Sequence, residues 1–293
     1  MMGEIMKDLN YQLKAMCERN QDGSRATQAT RYQMLQTMAS QLYEMGYRRM
    51  QVTSLKPKHI EALIERYLDE DLSIGTIKNR LATLRWWAEK IGKQNVIAKD
   101  NIYYGIESRT FVTNVSKAVD VDQELLVKIG DDHIRISLEL QKAFGLRREE
   151  AMKFIPDYAD RDNHIHLKST WCKGGKARDI PIRTDEQRDV LKRARLLAGK
   201  GSLIPPHLMY VQQMRLYERE TQKVGLSQLH GLRHRYAQVR YESLTGWPAP
   251  ACGGPSRKAM NEKDQMKDQV ARKAISQELG HEREQITAVY LGR

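Results

Sequence analysis

The sequence predicts a mainly α chain with one small β-hairpin: a helical bundle over residues 1–110 and an α+β domain over 120–293, joined by a linker at 111–119. Three observations predict it. Apolar residues recur at three- and four-residue spacing along most of the chain, the period of an amphipathic helix. Strict alternation of strand type stands out at 164–171, HIHLKSTW. The length of 293 residues, at roughly 150 residues per domain, makes two domains with room for proper cores.

In the first half, Ile5, Leu9, Leu13 and Met16 form one apolar stripe, followed by the polar turn QDGSRAT. Tyr32, Leu35, Met38, Leu42 and Met45 form a second, which stops near Gly46. Ser54 to Pro57 resembles a helix start, because proline suits the first turn, and Ile60, Leu63, Ile64, Tyr67 and Leu68 follow. Ser73 is a fitting N-cap for a fourth helix with Ile77, Leu81, Leu84 and Trp87 on one face, ending near Gly92. Four such helices make a small bundle. Arg25, Arg31, Arg48, Arg49, Lys56, Lys58, Lys78, Arg80 and Arg85 spread cations across it, each readable as a solvated surface charge.

Weak periodicity from Tyr104 to Val119 marks the linker, after which Asp120 or Asp122 opens a helix through Leu125, Leu126 and Ile129. In HIHLKSTW, Ile165, Leu167, Ser169 and Trp171 alternate; the chain turns at Lys173-Gly-Gly-Lys176 and resumes at Arg178 to Ile182. This reads as a β-hairpin with cations at its tip. Helical stripes return at Val190, Leu191, Ala194 and Leu197 and around Met214 to Tyr217. Residues 243–272 begin rich in Pro and Gly and become strongly charged, the pattern of a surface excursion running into a helix.

Forty-nine Lys and Arg against 37 Asp and Glu give a formal charge of +12 and an isoelectric point near 9.5. Both halves share the excess: 17 basic and 13 acidic residues in 1–110 and 32 and 24 in 111–293. A polyanion, nucleic acid or an anionic membrane surface, is the partner such a balance favours. Mean hydropathy is −0.66, no apolar run approaches the roughly 18 residues of a spanning helix, and the first residues lack a signal peptide's apolar segment. The reading is a cytoplasmic protein that does not enter a membrane. Three scattered cysteines, Cys17, Cys172 and Cys252, make neither a disulfide framework nor a thiolate zinc site. GxxxxGK[ST], GxGxxG and HExxH are all missing, which argues against ATP-driven, redox and zinc-protease chemistry.

What remains is a set of cationic and imidazole side chains at helix ends and at the hairpin tip. They are Arg147 in AFGLRREEA, Lys173 in WCKGGKARDIPI, His230 and Arg233 in LHGLRHRYA, and His281 in QELGHEREQ, with Tyr290 in ITAVYLGR. Singly, each has an ordinary explanation: a surface arginine, a solvated loop lysine, a chance HxxR, a packed tyrosine. Their order and spacing together resemble the tyrosine recombinases, the family of phage and mobile-element integrases and Xer-type recombinases. AFGLRREEA matches the first box, with Arg147 its arginine and Glu150 the acidic residue three positions on. KGGKAR matches the hairpin lysine box, with Lys173 the match and Lys176 the nearby alternative. HGLRH supplies His230 and Arg233, and LGH supplies His281, with Tyr290 nine positions later. The match runs over about 120–293, and the leading helical half resembles the family's core-binding domain.

The resemblance implies a site-specific recombinase that cleaves and rejoins double-stranded DNA through a 3′-phosphotyrosine, without metal, ATP or another cofactor. It implies a bacterial or phage-encoded, nucleoid-associated homotetramer on two recombination sites, monomeric or dimeric in isolation, acting in integration or excision of a mobile element. The residue types suit that chemistry independently. Charge developing on non-bridging phosphate oxygens calls for fixed donors, and guanidinium forks bind such oxygens bidentately. Arg147 and Arg233 fill that role, with His230 and His281 completing the cradle. A phenol of pKa about 10 must lose its proton as it attacks, and His230 can accept it. The resemblance gives the leaving 5′ oxygen its proton from Lys173, while Glu150 orients the site. The two halves are then expected to clamp the duplex from opposite sides.

The chain departs from the family pattern twice. Arg233 and His281 stand 48 positions apart, longer than usual, with 243–272 read as the insertion responsible. Only Leu291, Gly292 and Arg293 follow Tyr290, where many relatives carry a further C-terminal segment, and no separate small domain for accessory arm sites is expected ahead of the bundle. Three alternatives stand beside this reading. A type IB topoisomerase shares the chemistry without sequence demand. A metal-dependent nuclease would use His230, His234 and His281 as ligands but lacks a carboxylate cluster beside them. A non-catalytic, sequence-specific DNA-binding protein would have no need of six competent pocket side chains.

Overall fold

The computed structural model describes residues 8–281 and 283–293; Ile5 of the first predicted stripe lies outside them. The chain divides into two compact units, Met1–Thr110 and Phe111–Arg293. No described helix is long and apolar enough to cross a membrane, and all three cysteines are free.

The first unit packs α1 (Asp8–Arg19), α2 (Arg25–Glu44), α3 (Pro57–Asp69) and α4 (Ile74–Lys90) around Leu13, Leu35, Met38, Leu42, Leu63, Tyr67, Leu81, Leu84 and Trp87, all buried. Local chemistry sets the ends. Ser24 and Ser73 accept hydrogen bonds from the backbone N–H of Thr27 and Thr76, satisfying amides that the first turn leaves orphaned. Pro57 stands at the start of α3. Gly46 follows α2 at φ +93°, a conformation that costs glycine nothing. The cations divide between interior and surface. Arg85 donates to Ala98 O and Asn101 Oδ1 and Arg31 lies 4.2 Å from the centre of the Trp86 ring, whereas Arg48, Arg49, Lys56 and Lys58 line one cavity with Tyr47 and His59.

The second unit runs α5 (Gln123–Val127), α6 (Asp132–Phe144), α7 (Arg148–Met152), α8 (Pro156–Ala159), β1 (His164–Leu167), β2 (Arg178–Pro181), α9 (Asp185–Ala198), α10 (Tyr210–Lys223), α11 (Gly231–Thr245), α12 (Glu262–Leu279) and α13 (Glu284–Leu291). Asp122 and Asp131 cap α5 and α6 by accepting from Leu125 N and Ile134 N. The two strands pair antiparallel from His164↔Pro181 to Leu167↔Arg178. They bury Ile165, Leu167 and Ile180 against Phe144, Phe154, Ala237, Tyr241, Ile275 and Leu279.

One expectation needs correction. β1 stops at Leu167, because Ser169–Trp171 turns into a 3-10 helix that swings Trp171 into the core beside Phe154 and Tyr158. The hairpin therefore carries a long loop, 168–177, instead of a tight Gly-Gly turn. Residues 243–272 run as a mostly exposed loop into α12, anchored to the core by Ala249 and Ala271 and by Trp247 Nε1, which donates to Tyr241 Oη at 3.3 Å.

Candidate active site

The site forms where the ends of α6, α11 and α12 meet the start of α7, with α13 laid across them. Gly145 ends α6 at φ +62°, and a Cβ there would stand 2.5 Å from Tyr236 Cδ1, so only glycine fits. Its carbonyl accepts from Arg233 Nη1 at 2.5 Å. Arg233 Nη2 donates to Leu279 O, the last carbonyl of α12. Two backbone carbonyls from different helices thus fix a guanidinium that is 1% exposed. Its buried Nε has no hydrogen-bond partner among the described residues. Burial first, then Arg147, pulls its pKa down to about 10, which leaves it cationic at neutral pH.

Arg147 caps α7, where its N–H and Nη1 donate to the two oxygens of Glu150, each at 2.8 Å. Glu150 is fully buried and receives a second arginine, Arg178, whose Nη1 and Nη2 donate at 2.9 and 2.7 Å. Burial alone would raise its pKa, but the bonds and charge of Arg178, with the charges of Arg147 and Arg233, bring it down to about 2. Glu150 is therefore an anion bonded to two arginines, Arg147 and Arg178. Arg178 Nε also donates to Glu278 O at 2.8 Å.

Tyr290 is 7% exposed and its ring lies between two imidazoles. His281 stacks at 5.1 Å and 27°, and His234 lies at 4.4 Å and 36°. His230, at the start of α11, places Nε2 3.1 Å from the Tyr290 hydroxyl, and Arg233 Cζ is 5.9 Å from the ring centre. Burial lowers all three histidines, with cationic neighbours adding to it: His281 to about 3 and His234 to about 4, with His230 lowered by Arg233 and Arg147 as well. Neutral imidazoles at pH 7 follow. His281 Nδ1 is 3.0 Å from Thr287 Oγ1, which ties the loop before α13 to the helix itself. The main chain of α13 is held from outside, with Gln238 Nε2 donating to Tyr290 O at 3.0 Å and Arg272 Nη1 to Gly292 O at 2.9 Å. Arg272 is set in turn by Asp268 at 2.8 Å.

Of the sequence-selected residues, Arg147, Glu150, His230, Arg233, His281 and Tyr290 come together. Lys173 and Lys176 are exposed on the loop 168–177; for Lys173 no contact with the others is seen among the described residues. The loop is nonetheless rooted at the site, because Cys172 Sγ accepts from Arg178 Nη1 at 3.3 Å. The histidines weighed as metal ligands are arranged around the Tyr290 ring, and no group of three or more His, Cys, Asp or Glu among the described residues is placed to hold a metal ion. Sequence reasoning missed Arg178 as a site residue and weighed His234 only as a metal ligand. Arg178 stands inside the quoted KGGKAR, and an arginine opening an apolar strand was the available signal. His234 follows Arg233 directly, one turn beyond His230.

Two family models match: phage integrase, N-terminal, over residues 6–97, and integrase, over 108–239. Among proteins of curated function, none matches the sequence. Several solved structures share the fold. A lambda integrase tetramer bound to a Holliday junction is 16% identical, with 99% of this chain and 80% of that one covered at a TM-score of 0.62. The Tn1549 transposon integrase in complex with circular intermediate DNA is 15% identical, covering 98% and 95% at 0.59. The XerH site-specific recombinase in a post-cleavage complex with palindromic difH substrate is 17% identical, covering 97% and 81% at 0.58. With both family models matched in order along the chain, this protein belongs to the tyrosine recombinases of the phage integrase family.

Proposed function

We propose that this protein is a site-specific DNA recombinase that breaks and rejoins strands through a covalent 3′-phosphotyrosine at Tyr290. The observation that carries the reading is the 3.1 Å approach of His230 Nε2 to the Tyr290 hydroxyl, beside a buried Arg233 whose Nε is unpartnered among the described residues. With its proton on Nδ1, the neutral His230 accepts the phenolic proton as Tyr290 Oη bonds to the scissile phosphorus. The bond from phosphorus to the 5′ oxygen breaks, and Lys173 donates the proton which that oxygen requires. Charge gathering on the non-bridging oxygens is met by Arg147 and Arg233, donors already fixed by Glu150, Gly145 and Leu279, so little reorganisation remains for the moment of reaction. His281 packs the ring and completes the cradle. A 5′ hydroxyl from a second strand then reverses the step, and the bond energy retained in the phosphotyrosine makes ATP unnecessary.

Cations across both units, including Arg48, Arg49, Lys56 and Lys58 around one cavity of the first, suit contacts to duplex phosphates. Such contacts give affinity that falls steeply with salt, with base contacts selecting the site. Four protomers act on two sites, as in the lambda integrase tetramer bound to a Holliday junction. The setting is the bacterial cytoplasm at the nucleoid, and the outcome is integration or excision of a mobile element. Incubation with paired sites taken from the flanks of the protein's own element tests this. Recombinant strands from two sites are expected. Relaxation of supercoils without exchange would make the chain a type IB topoisomerase instead.

A further inference from the structure

The last turn of α12 carries a cluster that the chemistry above leaves unused. Glu278 is 5% exposed, and its carboxylate collects three donors: Arg183 Nη2, Arg240 Nε at 3.2 Å and Tyr236 Oη at 2.7 Å. Those donors come from the segment before α9 and from α11. A buried carboxylate this fully bonded fixes the backbone that bears it.

That backbone is where the site arginines hang. Glu278 O accepts from Arg178 Nε, and Leu279 O accepts from Arg233 Nη2. Gly280 then turns left-handed at φ +65°, with Arg178 Cδ lying 2.8 Å from where a Cβ would be. Through Arg178 the order passes to Glu150 and so to Arg147. Tyr236 closes the loop from the other side, because its ring packs under Gly145, whose carbonyl holds the second arm of Arg233. The Tyr236–Glu278 bond therefore joins the two carbonyl anchors of one guanidinium.

We propose that Glu278 is a positioning residue for strand cleavage: its carboxylate locks the end of α12 so that Arg233, and Arg147 by way of Arg178 and Glu150, meet the scissile phosphate in register. The inference rests on the cleavage reading above. Glu278→Gln keeps the size and an oxygen toward Arg183 and Arg240 but removes the charge, and its NH2 group faces Tyr236 Oη, where the phenol must reverse its bond from donor to acceptor.

The test measures covalent adduct formation on two otherwise identical duplexes, one with a normal scissile phosphodiester and one with a neutral methylphosphonate there. On the phosphodiester, E278Q is expected to react about 10- to 100-fold more slowly than the parent, the scale of loss that small misplacements cause, with duplex binding unchanged. On the methylphosphonate, which has less charge for a guanidinium to stabilise, most of that deficit is expected to vanish. Equal deficits on both duplexes, or none, would overturn the proposal, the first by marking general damage to the fold. Should E278Q not fold, Tyr236→Phe removes one donor and is expected to give a smaller deficit of the same pattern; undiminished cleavage by Y236F would equally overturn it. If the parent protein itself forms no adduct, the cleavage reading fails, an outcome distinct from a reactive parent matched by E278Q.

Discussion

His230 Nε2 and the Tyr290 hydroxyl stand 3.1 Å apart, and the imidazole is held below its ordinary pKa by burial and by the charges of Arg233 and Arg147. A base that is already neutral beside a phenol that must ionise is an arrangement for taking one proton. His230→Phe is expected to slow cleavage about 100-fold at pH 7, in the range for loss of a general base. The deficit is expected to narrow as pH rises, because hydroxide increasingly takes the proton that His230 would accept. Single-turnover cleavage rates between pH 6 and 9.5 check this; a deficit constant with pH would remove His230 from proton transfer.

Arg147 and Arg233 have different local costs but one expected kinetic signature. Arg147→Ala removes a partly exposed side chain, whereas Arg233→Ala also leaves the buried carbonyls of Gly145 and Leu279 without donors, which destabilises by about 1–3 kcal/mol for each unsatisfied group. Both are expected to lower the cleavage rate by about 100- to 1000-fold, the scale of losing a fixed oxyanion donor, with duplex binding altered only a few fold. Rates paired with gel-shift titrations decide it. Equal losses in rate and binding would make these arginines ordinary phosphate contacts.

Lys173 rides on the exposed loop 168–177, and the acid role proposed for it demands that the loop deliver it to the 5′ oxygen. Lys173→Ala is expected to be deficient on a normal phosphodiester and restored on a substrate with sulfur in the 5′ bridging position, a leaving group that needs no proton. Absence of restoration would shift the role to Lys176.

Acid should weaken the fold in two stages. Below about pH 6.5 the unfolded chain takes up protons on histidines that the folded pocket keeps neutral, with His234 at about 4 and His281 at about 3. Below 4.5 the unfolded chain also protonates Glu150, which the folded pocket holds ionised down to about 2. In both cases the unfolded state binds more protons, so stability is complete above pH 6.5 and declines as pH falls, by at most about 1.4 kcal/mol per pH unit for each group. Urea unfolding at pH 7 and pH 5 measures the histidine part. His234→Phe with His281→Gln is expected to flatten it, and an unchanged slope in that double variant would contradict the assignment.

Much of this was legible in the sequence. The stripes of α2 and α4 follow directly from Leu35, Met38, Leu42 and Ile77, Leu81, Leu84, and the Ser73 cap from its place before them. The pocket residues Arg147, His230, Arg233, His281 and Tyr290 were legible only through the order and spacing that resemble the tyrosine recombinases, because each alone has an ordinary explanation. Long-range pairing was not legible. Nothing local in KGGKAR says that Arg178 reaches Glu150 instead of solvent, because that bond spans 28 positions and exists only once β2 is in register. The same holds for Trp171, whose alternation with Leu167 continues on paper while a 3-10 turn redirects it. Charge in 262–272 suggested exposure, yet Asp268 and Arg272 are buried as a pair, and a pair forming within one helix looks the same as two solvated residues.

The most direct test of the central claim uses a nicked suicide duplex from the flanks of the element, which traps any covalent product by letting the freed strand diffuse away. After denaturing electrophoresis, the parent protein is expected to give a DNA-linked band whose modified peptide contains Tyr290. Tyr290→Phe should give no such band while still shifting the duplex in a native gel. A covalent band that persists in the phenylalanine variant, or one that maps to another residue, would contradict the account.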